Sequence, residues 1–476
     1  MDIARQALDQ LLDIAGRAPA DFVEIEGGPP AMATRFHAEE AAAAVLAAGG
    51  VMAADIWTLR GGERQEVRVS TREAATDLVS FLHQTFAEPE RAPPLRPDDA
   101  PGGRGTPAMG FFATKDGRHV FLHPSFPPSA AKLHALVGSP ADTQAVAANV
   151  AGWNAMDLEN AIAELGICGA VARTPEEWDA SEQGRVLSSR PPVEVVKIAD
   201  GPPVPFPPRA AAPLSGVRVL DLTRVLAGPT CGRTLAQYGA DVLYVASPHL
   251  PSTPGFVTDT NHGKLSAFLD LTRPDELDRL RQLAATADVF SQGYRSGGLE
   301  RLGLGPADLA QLNPGLVYIS INAYGHEGPW RTRPGWEQLG QTVTGMAWLH
   351  GLHMAGGAKG PILQPGAVTD YTTGFLAALG GLIALHRRAL YGGSYLVRVS
   401  LSQTAVWLRR LGIAPAERLD AVRPVTAEEA DAWRIDTASG WGGLRHLRPA
   451  VRMSRTPTVW SRPVVPLGTH PPAWPD

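Results

Sequence analysis

The chain has 476 residues, 44% of them hydrophobic and 19% charged, with a formal net charge of −5 at pH 7. That balance excludes a wholly disordered chain, and the mild negative charge argues against nucleic acid or another phosphate-backbone partner. Its two cysteines, Cys168 and Cys231, exclude a disulfide framework and have no metal-ligand spacing, so no metal is expected.

The first segment, residues 1–90, begins MDIARQALDQLLDIAGRAPADF. Its acids and amphipathic spacing are unlike a signal or transit peptide. No run reaches the roughly 18 apolar residues of a membrane span, so a cytoplasmic protein with no membrane partner is expected. Proline-rich stretches at 91–107 and 201–213 break regular structure and punctuate the chain. They set off a small α+β domain over 91–200, a linker over 201–213, a large domain over 214–410, and a tail over 411–476 returning to it.

Within the small domain, 111–123 (FFATKDGRHVFLH) predicts a hairpin around Asp116-Gly117. A helix is expected over 154–165, ended by Gly166, then a strand over 169–173 and a second helix start at Thr174-Pro175. The large domain opens with a buried-strand pattern at 217–222 (VRVLDL), followed by a helix ending near Tyr238-Gly239 and a second strand at 241–245 (DVLYV). Further strands are expected at 266–271, 288–291 and 316–321, with a helix over 275–285. The alternation predicts a doubly wound, parallel-sheet, Rossmann-like α/β domain. No GxGxxG follows the first strand, so a dinucleotide cofactor is unsupported. The loop 224–229 (RVLAGP) enters a helix N-terminus and is a candidate phosphate or carboxylate seat.

The chain also contains an internal echo. Residues 39–62 align without a gap on 370–393, sharing two Gly-Gly pairs, and VRVS recurs at 67–70 and 397–400. A weaker echo joins 190–207 to 448–466. The first segment thus reads as a partial copy of 368–405, with Glu39 opposite Asp370 and the pair Glu39-Glu40 read as structural.

From residue 213 onward a series of blocks resembles the class III (CaiB/BaiF-type) CoA-transferases. They include PLSGVRVLDLTRVLAGP (213–229), LAQYGADVLYV (235–245), NHGKLSAFLDL (261–271), ADVFSQGYRSGGLERLGLG (287–305), the stretch 313–341, and GAVTDYTTGFLAALGGLIALHRR (366–388). The small domain resembles that family's through DGR at 116–118 and ELGICGAVARTPEEW at 164–178. The resemblance implies transfer of CoA between an acyl-CoA thioester and a carboxylic acid. Asp370 falls on the family's aspartate, which forms a mixed anhydride and then an aspartyl-CoA thioester. It further implies CoA contacts at Leu226, Ala227, Lys264, Tyr294, Arg295 and Arg301, and a glycine loop at Gly102, Gly103 and Gly105 supporting the oxyanion. Glu337 falls on an acidic position near the nucleophile, where it would handle protons or simply be a surface helix acid. Asp370 itself has a plainer reading, as an N-cap before an apolar helix.

Ala246, Ser247, Leu265 and Gly293 depart from the family's CoA contacts. Trp336 stands where the family's racemases carry a histidine base, and His326 reads as a loop residue. Cys231 reads as a buried structural thiol. Three functions therefore stay open: a CoA-transferase, a racemase or isomerase of acyl-CoA, and a non-catalytic acyl-CoA-binding protein. The family's interlocked dimer implies a homodimer, or a monomer that imitates one by setting Asp370 against its own small domain.

Overall fold

The computed structural model describes residues 2–93, 108–138, 142–208, 210–354, 357 and 360–475. The apolar runs of the large domain form a seven-stranded sheet. Its order is Lys264–Phe268, Asp241–Ala246, Arg218–Leu222, Val289–Gln292, Val317–Asn322, Ser394–Ser400 and Glu194–Ala199. Six strands are parallel, and the last, donated by the segment after the small domain, is antiparallel to Ser394–Ser400. Helices cover both faces, as continuous hydrophobic strands require. One face carries Val368–Tyr391 and Ala227–Ala236, and the other carries Pro274–Ala284 and Pro306–Leu312. This is the mixed α/β fold with a parallel sheet that the sequence pattern predicts.

The edge strand occupies 264–268 rather than 266–271. Lys264 reads as polar in sequence, yet its side chain is wholly buried in an ion pair with Asp221, so the strand starts earlier than hydropathy suggests.

Residues 1–90 pack onto the same face of the large domain. Helix Ala38–Leu59 lies against Val368–Tyr391 and is buried along most of its length. Both helices are long and apolar enough to cross a membrane, but here each forms part of the core, with 78% and 94% of its most apolar window buried. Each helix also packs tightly on the strand that follows it: a Cβ on Gly50 would lie 2.5 Å from Val67 Cγ1, and one on Gly380 would lie 2.4 Å from Val397 Cγ1.

Those contacts also correct the alignment of the two segments. Each runs helix, strand (Val67–Ser70 or Ser394–Ser400), helix (Thr71–Asp77 or Leu401–Arg410), and the helices start at Ala38 and Val368. Glu40, not Glu39, is therefore the third helical residue, as Asp370 is. Arg418 pairs with both glutamates, and Glu39 also accepts from the Ala31 and Met32 amides. Strand Val67–Ser70 pairs with Val23–Glu26 and with Arg452–Met453 of the tail, so the tail closes on the first segment. It also reaches the large domain, where the Ser266 amide donates to His470 Nδ1.

The small domain is an antiparallel sheet, Gly110–Ala113, His119–His123 and Cys168–Val171, backed by Pro127–Val137, Thr143–Val150 and Ala155–Glu164. Its sheet packs against helix Glu337–Val343 of the large domain. The Arg173 amide donates to the Thr342 carbonyl across this junction.

Candidate active site

The junction encloses a cleft of about 290 Å³ lined from both domains. The large domain supplies the 224–228 loop, residues 293–295, Arg331, the run 333–337 and Asp370. The small domain supplies Ser125, Phe126, Ser129 and Cys168. The cleft opens at the C-terminal ends of the parallel strands, where open α/β sheets place ligands.

Asp370 is the third residue of helix Val368–Tyr391, whose N-cap is Ala367 with no side-chain cap bond. The N-cap reading of Asp370 is thus excluded. Part of its side chain stays open to the cleft while protein crowds it elsewhere, and its carboxylate accepts no hydrogen bond among the described residues. Burial pushes its pKa well above the usual carboxylate range, and the Glu337 charge adds to the rise. One turn on, Gly374 lets the helix approach the 227–236 helix: a Cβ there would sit 2.5 Å from the Ala227 carbonyl oxygen. The nucleophile candidate and the RVLAGP loop are brought together by that missing side chain.

Glu337 supplies the cap that Ala367 cannot. Its Oε1 accepts from the Thr369 amide at 3.3 Å, the Thr369 hydroxyl at 2.8 Å and Gln341 Nε2 at 2.5 Å. It is 4% exposed, so the plain surface-acid reading is wrong. Burial raises its carboxyl above its ordinary range, and those hydrogen bonds oppose the rise.

Leu226 and Ala227 line the cleft at the start of helix Ala227–Ala236, whose first-turn amides at Ala227 and Gly228 have no intrahelical acceptor. The preceding Val225 has φ 69°, and Ser125 across the cleft has φ 58°. Among the described residues these are the two non-glycine positions with positive φ, and both line the cleft. Such strain, costliest at a β-branched residue, concentrates at functional sites.

Tyr294 and Arg295 also line the cleft, and Arg295 donates to the Gly166 carbonyl of the small domain. Lys264 does not reach it. Its Nζ is 2.9 Å from Asp221 Oδ2 and 2.7 Å from the Pro229 carbonyl oxygen, with no exposed surface on either charged side chain. The expected phosphate contact is replaced by a buried structural pair. Arg301 is exposed and lies outside the cleft lining. Gly102, Gly103 and Gly105 lie outside the described residues.

The contacts of other residues in and near the cleft were not foreseen from sequence. Trp336 stacks on His123 at 4.5 Å and donates from Nε1 to Ser125 Oγ at 2.7 Å, tying the two domains together. Arg224 sits over the Phe126 ring at 5.0 Å. Cys168 is buried, which raises its thiol, and Cys231, on the 227–236 helix, is also buried. His326 is outside the lining, and burial with the nearby Arg398 charge lowers it to about 3. No group of metal-ligating residues occurs among the described residues.

The model of CoA-transferase family III matches residues 2–190 and 214–415. Among curated proteins, an acyl-CoA transferase of Gibberella moniliformis is 36% identical over 260 residues, 52% of this chain and 46% of that protein. The acetyl-coenzyme A transferase nodX of Hypoxylon pulicicidum is 32% identical over 324 residues, 63% of this chain and 54% of that one. The chain spans about half the length of these relatives. A solved CAIB/BAIF family protein from Brucella suis is 27% identical, with a TM-score of 0.38 over 49% of this chain and 65% of that one.

Proposed function

The chain belongs to CoA-transferase family III, and from that premise we propose that it moves CoA from an acyl-CoA thioester to a carboxylic acid, with Asp370 as the covalent nucleophile. The observation carrying this is the Asp370 carboxylate, open to the cleft and without a hydrogen bond among the described residues, on the first turn of a helix capped by Glu337. A carboxylate committed to structure would hold donors, whereas this one accepts none among the described residues.

The steps balance as two exchanges at one carboxylate. An Asp370 oxygen attacks the thioester carbonyl, the C–S bond breaks, and CoA leaves as thiolate, giving a mixed anhydride. The thiolate attacks the aspartyl carbonyl and expels the donor acid, leaving CoA on Asp370 as a thioester. The acceptor carboxylate attacks that carbonyl and releases the thiolate, which then takes the acceptor acyl group and restores the Asp370 carboxylate. Dividing the transfer this way replaces one difficult step by several easier ones. Glu337 serves as a positioning residue through Thr369. Leu226, Ala227, Tyr294 and Arg295 are the CoA contacts, with the Ala227 and Gly228 amides suited to a phosphate or oxyanion. The reading is of a composite site built within one chain, because the same chain supplies both walls of the cleft.

A racemase needs a second base facing the substrate, and among the described cleft-lining residues there is no histidine. The transferase reading is tested by isotope exchange: an acyl-CoA is incubated with the labelled free acid of the same acyl group. Label should enter the thioester without any other acceptor, and Asp370→Ala should lower the rate by about a thousandfold or more. Undiminished exchange in that variant would remove Asp370 from the chemistry.

A further inference from the structure

Two carboxylates line the cleft, and the fold treats them differently. Asp370 accepts no hydrogen bond among the described residues, whereas Glu337 Oε1 accepts three, from the Thr369 amide, the Thr369 hydroxyl and Gln341 Nε2. Gln341 lies one turn after Glu337 on helix Glu337–Val343 and is wholly buried.

The direction of the Gln341 amide is fixed by its surroundings. Its Oε1 accepts from the Gln364 backbone amide at 2.8 Å, a group that can only donate. The NH2 end therefore faces Glu337. Gln364 is held in turn from the first segment: its Oε1 accepts from the Thr34 hydroxyl, which itself accepts from the Phe36 amide. Ala367, at the N-cap of the Asp370 helix, donates its amide to the Leu78 carbonyl. The stretch from Gln364 into that helix is thus bonded at two points to residues 1–90, which keeps the acceptor end of Gln341 occupied.

Three donors on one oxygen favour the ionised form of a carboxyl, and a buried carboxyl with none favours the neutral form. Burial raises the Glu337 carboxyl, and the Gln341 bond is the strongest influence opposing it, ahead of those from Thr369. At Asp370 burial acts unopposed, and the Glu337 charge adds to it. The other titratable groups lining the cleft are Cys168, Arg224, Tyr294, Arg295, Arg331 and Arg333. On the elements packed around the two helices, Arg233, Arg398 and Arg409 are ion-paired with Asp259, Glu327 and Asp179, and Glu39 and Glu40 with Arg418. Tyr371 donates to Asp259, and the imidazoles of His119, His123 and His350 lie outside the lining.

We propose that Gln341 is a positioning residue of the reaction: it fixes the negative charge of the carboxylate pair on Glu337, so that the last proton of the pair rests on Asp370 and the nucleophile forms when that proton passes to solvent. The inference rests on the transfer chemistry proposed above.

The test uses the full chain in wild type, Gln341→Met and Thr369→Val. The last is an isosteric change that removes one of the Glu337 donors should Gln341→Met fail to fold. The kcat/KM for acyl-CoA isotope exchange is followed against pH, each profile normalised to its alkaline limit. The rate should rise with pH as Asp370 ionises, at an apparent pKa well above the ordinary aspartate value of about 3.9. Losing a donor lets Glu337 take the shared proton and frees Asp370. The rising limb should therefore move to lower pH by about one unit or more, the equivalent of one charge-assisted bond. A purely structural role lowers the rate by the same factor at every pH, so a limb that stays in place or moves up in a folded variant would overturn the inference. Infrared titration without substrate locates the proton independently of turnover. Difference spectra of wild type against Asp370→Asn and against Glu337→Gln should show the Asp370 carboxyl band disappearing at higher pH than the Glu337 band; the reverse order would overturn the inference. Absence of exchange in wild type would remove the transferase reading, and the infrared order would still decide where the proton rests.

Discussion

Replacing Lys264 by Met separates two accounts of a residue that sequence places among the CoA contacts. In the structure its ammonium is wholly buried, bonded to Asp221 Oδ2 at 2.9 Å and to the Pro229 carbonyl oxygen at 2.7 Å. Burial lowers its basicity and the Asp221 charge opposes that. Asp221 Oδ1 would keep the Thr223 amide and hydroxyl, but Oδ2 would be left charged with no partner from Lys264. Removing one member of a buried pair costs about 3–5 kcal/mol, because the other charge stays desolvated. At about 2–4 °C per kcal/mol for a domain of this size, the melting temperature should fall by roughly 10 °C. Adding Asp221→Asn should return most of the loss, since no charge then remains buried. Thermal melts read the first effect, and KM for acyl-CoA below the transition should match wild type. A Lys264→Met protein that melts like wild type but has lost acyl-CoA affinity would refute the buried-pair account.

Two further outcomes follow from the same structure. Burial, with the Asp259 and Glu73 charges adding to it and Arg233 opposing, pushes the Asp77 carboxyl up to about 7. Its neutral form is thus favoured by folding; that contribution is complete below the unfolded value near 4 and is lost as pH rises through 7. Asp77→Asn should therefore stabilise the protein at pH 8, by a few kcal/mol and at most about 4, and have no such effect at pH 4; an equal gain at both would contradict this. Trp336→Phe removes the 2.7 Å bond to Ser125 Oγ and should cost about 1 kcal/mol in denaturant unfolding. Ser125→Ala should then add nothing in that background, whereas fully additive losses would mean the two side chains act independently.

The parallel sheet was legible because its strands are short apolar runs separated by helical spacing, as at 218–222 and 241–246. Asp370 was singled out as a candidate by the blocks on either side of it. Other features depend on residues far apart in sequence and left no local trace. Nothing near Ala367 announces a cap, because the cap is Glu337, thirty residues earlier, reaching Thr369. Lys264 looks like a surface cation because its partner Asp221 lies 43 positions away. The wall formed by Ser125 and Trp336 spans 211 positions. The gapless echo placed Glu39 opposite Asp370, whereas the helix starts and the contacts of Gly50 on Val67 and Gly380 on Val397 put Glu40 at the matching helical position.

The central claim, that CoA is carried on Asp370, is tested most directly by trapping. The protein is incubated with acyl-CoA, quenched with hydroxylamine, digested and analysed by mass spectrometry. An aspartyl-CoA thioester is converted to a hydroxamate, so the account predicts that modification on Asp370, dependent on acyl-CoA and absent from Asp370→Ala. Transfer without any modification at Asp370, or the same modification on another carboxylate in both proteins, would contradict it.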